Sequence, residues 1–277
     1  MSKVSGKDDG LEVRVREFLD AQPYLESIDE LELSAEQRAG KKADYFVNVE
    51  GRREVVVELK SLRDCMDDKV QVLIDEYASQ AGWPIVVGTT SIEQVLAHHP
   101  RGKEINEHLV KAITSPIEKG FGSANRQIRE TKANFGLPRA KGLLVFANGN
   151  NEIVTPEIAA YRIWQLWGKR KHGSLLERLR SRLGIRKRAY SNIDSVIVLQ
   201  APDIENGLAM GGLQYEGGLT VRGMEGTLEE HLHVGWARRH GIEFAAGVEI
   251  RSAEELGAFS RSVGRKTFNA AGRNKYN

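Results

Sequence analysis

A single cysteine, Cys65, stands in 277 residues. That count excludes an intrachain disulfide and leaves no trace of an oxidising compartment. His231, His233 and His240 lie close together, yet no cysteine or nearby carboxylate cluster completes a zinc set around them. No apolar run approaches the length of a membrane span, and the opening MSKVSGKDDG lacks the apolar core of a signal peptide, so a cytoplasmic protein is expected. One-sided charge is missing as well, because 40 Lys and Arg face 38 Asp and Glu for a formal net charge of +2. Nor is there a zinc finger, a clear helix-turn-helix or a coiled-coil stripe. What remains is an ordinary globular composition, 40% hydrophobic and 28% charged, long enough for one large domain or for a core with an insertion.

The informative stretch is KKADYFVNVEGRREVVVELKSL, from Lys41 to Leu62. It reads as two strands, Asp44 to Val49 and Glu54 to Ser61, joined by a turn at Glu50 and Gly51. Val55, Val56, Val57 and Leu59 form a nearly continuous aliphatic run, which suits a central strand buried on both faces. Glu58 and Lys60 interrupt it. Two apart on a strand, they project to the same side about 7 Å from each other. Buried charge is costly unless it is paired or holds a metal. Asp44 opens the preceding strand and can sit across from Glu58, so two carboxylates and one ammonium group converge. A hard, oxygen-preferring cation such as Mg²⁺, with Mn²⁺ able to substitute, relieves the carboxylate repulsion. Such a site can polarise a phosphate oxygen and acidify a water, with Lys60 orienting that water or stabilising the transition state. A surface hairpin carrying an incidental ion pair is the alternative. It would read polar at positions 54, 56, 58 and 60, whereas position 56 is valine.

Ala43-Asp44, a spacer, and Val57-Glu58-Leu59-Lys60 together resemble the signature of the PD-(D/E)XK nuclease superfamily, the restriction-endonuclease-like enzymes. Lys42-Ala43 stands where many members have a proline before the aspartate. The resemblance implies that the Leu59 carbonyl completes the metal shell. It also implies that a glutamate of the first helix and a glutamine of a later helix can stand at the site edge. Leu11, Val15, Phe18 and Leu19 recur at helical spacing, and Glu12 lies beside that stripe while Glu17 lies nearly opposite it, so Glu12 is the better candidate, with a solvated helix glutamate the plainer alternative for either. Gln127 is the glutamine candidate, with Gln71 its rival, and a plain solvated glutamine is the alternative to both.

Residues 1–10 read as a polar, flexible start. Residues 63–115 read as a largely helical insertion, with helices at Asp68 to Ser79, from Ser91 through Leu96 and from Glu104 to Ile113, a short strand at Ile85 to Thr89, and His98 and His99 in a loop. Ser115 and Pro116 start a helix that runs to about Asn134, which Gly120 and Gly122 could interrupt. Gly142 to Ala147 and Ile193 to Leu199 read as further apolar strands around a helix from Thr155 to Trp167. The order is similar to the αβββαβ core of the restriction-endonuclease-like fold, over residues 11–62 and 116–200. The expected class is therefore α/β, with a central mixed sheet, a helical insertion and a C-terminal α+β extension over residues 201–260. In that extension Thr227 caps a helix through Arg239, and Phe244 to Ile250 reads as a strand. Residues 261–277 read as a basic tail.

Between Gly168 and Tyr190 nine Lys or Arg face one acid, Glu177, a local charge of about +8. Lys169, Arg170, Lys171, Arg180, Arg186, Lys187 and Arg188 are candidate contacts to a phosphate backbone, on a helix marked by Leu175, Leu176, Leu179 and Leu183. A solvated face is the plainer alternative. The expected activity is Mg²⁺-dependent hydrolysis of phosphodiester bonds in nucleic acid, DNA favoured, by Asp44, Glu58 and Lys60, with an oligomer possible in such a superfamily. A non-catalytic nucleic-acid-binding protein on the same scaffold is the second reading, and an α/β protein whose basic helix binds another protein is the third.

Overall fold

Five consecutive residues, Val55 to Leu59, are buried, and a strand of that kind needs a neighbour on each edge and a layer on each face. It has both. The computed structural model describes residues 9–38, 40–62, 67–80, 82–84, 92–148, 159, 162–163, 165–166, 190–200 and 219–241. Among them is a five-stranded sheet of order β1-β2-β3-β4-β5: β1 (Leu25–Ser27), β2 (Tyr45–Val49), β3 (Arg52–Ser61), β4 (Lys141–Asn148) and β5 (Ser195–Gln200). The sheet is mixed. β1, β2 and β3 pair antiparallel, and β3, β4 and β5 pair parallel.

The β2–β3 turn falls at Glu50 and Gly51, with φ of 52° and 76°, the left-handed pair that a two-residue hairpin loop requires. A register shift follows between Val47 and Asn48, where Glu54 is the extra residue of β3. β1 and the short helical turns after it, a 3₁₀ turn (Ile28–Glu30) and α2 (Ala35–Arg38), are additions to the sequence reading, which placed only two strands before residue 63. Three residues with intermediate burial are too few to show alternation.

Helices cover both faces. On one side α1 (Asp9–Asp20) lays Leu11, Val15, Phe18 and Leu19 against Tyr45, Val57, Val145 and Ile197. On the other lie α3 (Asp67–Ala78), α4 (Ile92–His98), α5 (Gly102–Ile113) and α6 (Ser115–Asn134), with Ile113, Ile117, Phe121 and Ile128 in one core with Phe46, Val56, Leu144 and Phe146. Residues 159, 162–163 and 165–166 are helical, and Ala159, Ile163 and Leu166 join this same core. The described part of the expected 63–115 insertion thus shares the core with the sheet. So does the described part of the C-terminal extension: α7 (Leu228–Arg239) packs Leu228, Leu232 and Trp236 with α1, and Phe18 meets Trp236 edge to face at 5.3 Å. Thr227 and Glu230 close a capping box at its start.

Two expectations are corrected. His98 is the last residue of α4 rather than a loop residue. α6 does not break near Gly120 and Gly122 but runs 20 residues without interruption. The reason is packing. A Cβ on Gly120 would stand 2.6 Å from the ring of the fully buried Phe146, so this glycine admits a close approach of helix to strand. The strands expected at 85–89 and 244–250 and the tail 261–277 lie outside the described residues.

Candidate active site

The end of β3 and the start of β2 meet at one end of the sheet, because the two strands run antiparallel. Val56 faces α6, and strand alternation puts Glu58 and Lys60 on the same side. Asp44 sits one residue before β2. Its N–H donates to the Val57 carbonyl at 3.1 Å, and its own carbonyl accepts from Ile28 at 2.9 Å. Its side chain then takes over as a ladder acceptor, Oδ2 receiving the Leu59 N–H at 2.8 Å. The backbone of Val57 and of Leu59 both turn toward Asp44, so the Leu59 carbonyl, by the same alternation, opens on the side where β2 has already ended.

Glu58 is 1% exposed. The Lys60 ammonium forms an ion pair with its Oε1, and Oε2 has no donor among the described residues. Burial, then the neighbouring Asp44 carboxylate, push the Glu58 carboxyl up to about 8, with Lys60 and Arg16 pulling the other way. A carboxyl so placed holds its proton near neutral pH, and a positive charge at its second oxygen would favour the ionised form.

α6 fixes the rest of the site. Lys60 Nζ donates to Gln127 Oε1 at 2.9 Å, and Gln127 Nε2 donates to the Lys42 carbonyl at 3.0 Å. One turn on, the buried Thr131 hydroxyl accepts the Ala43 N–H at 2.8 Å. Two side chains of one helix therefore hold the segment that delivers Asp44. Of the two glutamines weighed from sequence, Gln127 touches Lys60, whereas Gln71 pairs with Asp75 on the surface. Glu17 pairs with Arg239, away from the site. Glu12 lies 3.8 Å from Arg16, and Arg16 in turn reaches Asp44 Oδ1 with both terminal nitrogens, at 3.3 and 3.2 Å.

Arg16 and Thr131 were not singled out in the sequence. Thr131 had a signal, four residues from Gln127 and on the stripe of Ala124 and Ile128. Arg16 had none, since an arginine on the polar side of an amphipathic helix reads as solvated. Lys169, Arg170, Lys171, Arg180, Arg186, Lys187 and Arg188 lie outside the described residues.

Among the described residues no three His, Cys, Asp or Glu side chains cluster as a metal-binding group. The donor set is two carboxylates and a backbone carbonyl. Such a set fits Mg²⁺, which keeps several waters and is held through one or two carboxylates, and the undonated Glu58 Oε2 is an open position for a hard cation. No described helix is long and apolar enough to cross a membrane.

Fold and site together define an α/β protein with a mixed five-stranded sheet and a Glu-x-Lys pair, its glutamate buried, beside an aspartate at one end of the sheet. Compared with protein-family models, with curated proteins and with solved structures, the chain matches none of them.

Proposed function

We propose that this protein is a metal-dependent nuclease that hydrolyses phosphodiester bonds in nucleic acid, DNA in preference to RNA, on a restriction-endonuclease-like core. The observation that carries the reading is Glu58, buried with an undonated oxygen beside Asp44 and Lys60. A purely structural strand has no use for it, because an apolar residue of the same size would avoid the desolvation cost. The order α1–β1–β2–β3–α6–β4 supports the αβββαβ assignment, with β1 supplying the third strand after the first helix and α3 to α5 inserted before α6.

Asp44, Glu58 and the Leu59 carbonyl would hold Mg²⁺ or Mn²⁺, which supplies Lewis-acid polarisation of a phosphate oxygen and acidification of a water. Asp44 is held on its backbone side by Leu59 N–H, so its orientation is set before any ligand arrives. Lys60, steadied by Gln127 and partly exposed, places an ammonium where negative charge builds on the phosphate oxygens as water adds to phosphorus and the bond to the leaving oxygen breaks. The basic segment 168–190, with Lys169, Arg170, Lys171, Arg180, Arg186, Lys187 and Arg188, is proposed to bind the phosphate backbone, and that affinity should fall steeply with salt.

The test is incubation of the purified protein with supercoiled plasmid, linear duplex, single-stranded DNA and RNA, each with Mg²⁺, Mn²⁺ or EDTA, beside Glu58→Ala. Cleavage that needs metal and disappears in the variant is expected. Cleavage retained by Glu58→Ala would remove the site from the mechanism. Salt-sensitive binding without cleavage of any substrate would favour a non-catalytic nucleic-acid-binding protein.

A further inference from the structure

Each carboxylate of the candidate site carries its own cation, and the two cations come from opposite faces of the sheet. Lys60 lies on Glu58 from the α6 side, and Arg16 reaches Asp44 from α1. The contacts differ in kind. Asp44 Oδ2 is committed to the Leu59 N–H, which belongs to the sheet end. Among the described residues Oδ1 is covered by the guanidinium alone, with both nitrogens on that one oxygen rather than the two parallel bonds of a fork. Arg16 is also half-exposed, and one turn back on the same helix Glu12 stands 3.8 Å from it. The guanidinium thus has a second anionic seat within reach, at the i,i+4 spacing that suits Glu and Arg on a helix.

We infer that Arg16 is the resident counter-cation of Asp44, a placeholder that a divalent cation displaces toward Glu12 when it takes Asp44 and Glu58. This rests on the metal-dependent reading of the site. A divalent ion and a guanidinium on one carboxylate oxygen repel one another, so the ion must either push Arg16 aside or bind more weakly while it stays. Arg16 therefore opposes metal binding in the substrate-free protein. Glu12, the site-edge candidate of the resemblance, is on this geometry the seat that receives the displaced arginine. A merely structural Arg16, needed to aim Asp44, makes the opposite prediction.

The deciding experiment is calorimetric titration of Mn²⁺ into the full chain without substrate, for the wild type, Arg16→Gln, Arg16→Lys and Arg14→Gln. Arg14 lies on the same helix and donates to the Gly10 carbonyl, so its removal changes the net charge equally without touching Asp44. Arg16→Gln should bind Mn²⁺ about fivefold more tightly, the factor that losing one exposed ion pair implies, while Arg16→Lys stays near the wild type and Arg14→Gln is unchanged. Equal or weaker binding by Arg16→Gln overturns the inference and makes Arg16 a support for Asp44. Tightening of the same size in Arg14→Gln also overturns it, because the effect is then one of overall charge. A wild type that binds no Mn²⁺ overturns the metal site itself and the inference with it, an outcome distinct from the other two.

Discussion

Replacing Glu58 by glutamine should abolish cleavage and at the same time stabilise the metal-free protein. In the fold the carboxyl is pushed from its ordinary 4.5 up to about 8, first by burial and next by Asp44. The unfolded chain releases the proton above about pH 4.5 while the folded chain keeps it until near pH 8. Glu58 therefore costs stability progressively as pH rises through that window. At pH 7, about 2.5 above the ordinary value, linkage sets the cost at about 3 kcal/mol as an upper figure. Glutamine carries no such titration and fills nearly the same volume. The Lys60 ammonium is not stranded by the change, since Gln127 still accepts from it. Guanidinium unfolding followed by circular dichroism, in EDTA, at several pH values from 4.5 to 8, gives the difference between the two proteins. That difference should be near zero at pH 4.5 and should grow to favour glutamine at pH 7. Millimolar Mg²⁺ should then raise the stability of the wild type alone. A structural ion pair predicts the reverse, because removing one partner of a buried pair typically costs about 3–5 kcal/mol. A glutamine variant less stable than the wild type at pH 7 would refute the reasoning.

Other expectations follow from single contacts. Gln127→Ala should lower kcat about tenfold with little change in KM, as loss of a residue that orients another at the site does. A turnover equal to the wild type would show that Lys60 needs no such support. Gly120→Ala should destabilise by about 1–2 kcal/mol in denaturant unfolding, the overlap with Phe146 outweighing the better helix propensity of alanine, and a gain in stability would contradict the close approach. His233, which burial pushes down to about 4, is neutral in the fold, so the unfolded chain binds the extra proton. Its contribution is complete above about pH 6.5 and is lost as pH falls toward 4, by up to about 3 kcal/mol. Comparing wild-type and His233→Leu unfolding between pH 7 and pH 4 should show a gap that narrows on acidification. A gap independent of pH would mean that the histidine takes up its proton in the fold as readily as in the unfolded chain.

Much of the sheet was legible because its central strand advertises itself. A run of Val55 to Val57 and Leu59 admits few placements other than a strand covered on both faces, and Glu-Gly at 50 and 51 marks the reversal before it. Asp44, Glu58 and Lys60 were legible for the converse reason, as charge where burial was expected. The helix from Leu228 was legible at its start, where Thr227 and Glu230 have capping spacing, but its place in the core was not. Its buried set includes Glu229 and His233, which interrupt the apolar stripe that would announce packing. Glu229 answers for its burial by accepting the Leu219 N–H at 2.7 Å, a contact between residues ten apart that no periodicity reveals. The glycines of α6 misled in the other direction. Read as local propensity they weaken the helix, whereas at Gly120 the side chain of Phe146 decides the matter.

Asp44 ends the β2–β3 ladder with its own carboxylate, and this double employment separates it from Glu58. If the protein is the nuclease proposed, a descendant chain that had lost catalysis would still be selected to keep an acceptor at position 44, because the Leu59 N–H would otherwise open onto the sheet end unpaired. Glu58 accepts no backbone N–H among the described residues, and by the linkage worked above it should weaken the metal-free fold. Among relatives of this protein, the glutamate rather than the aspartate is therefore the residue whose persistence would report a working site.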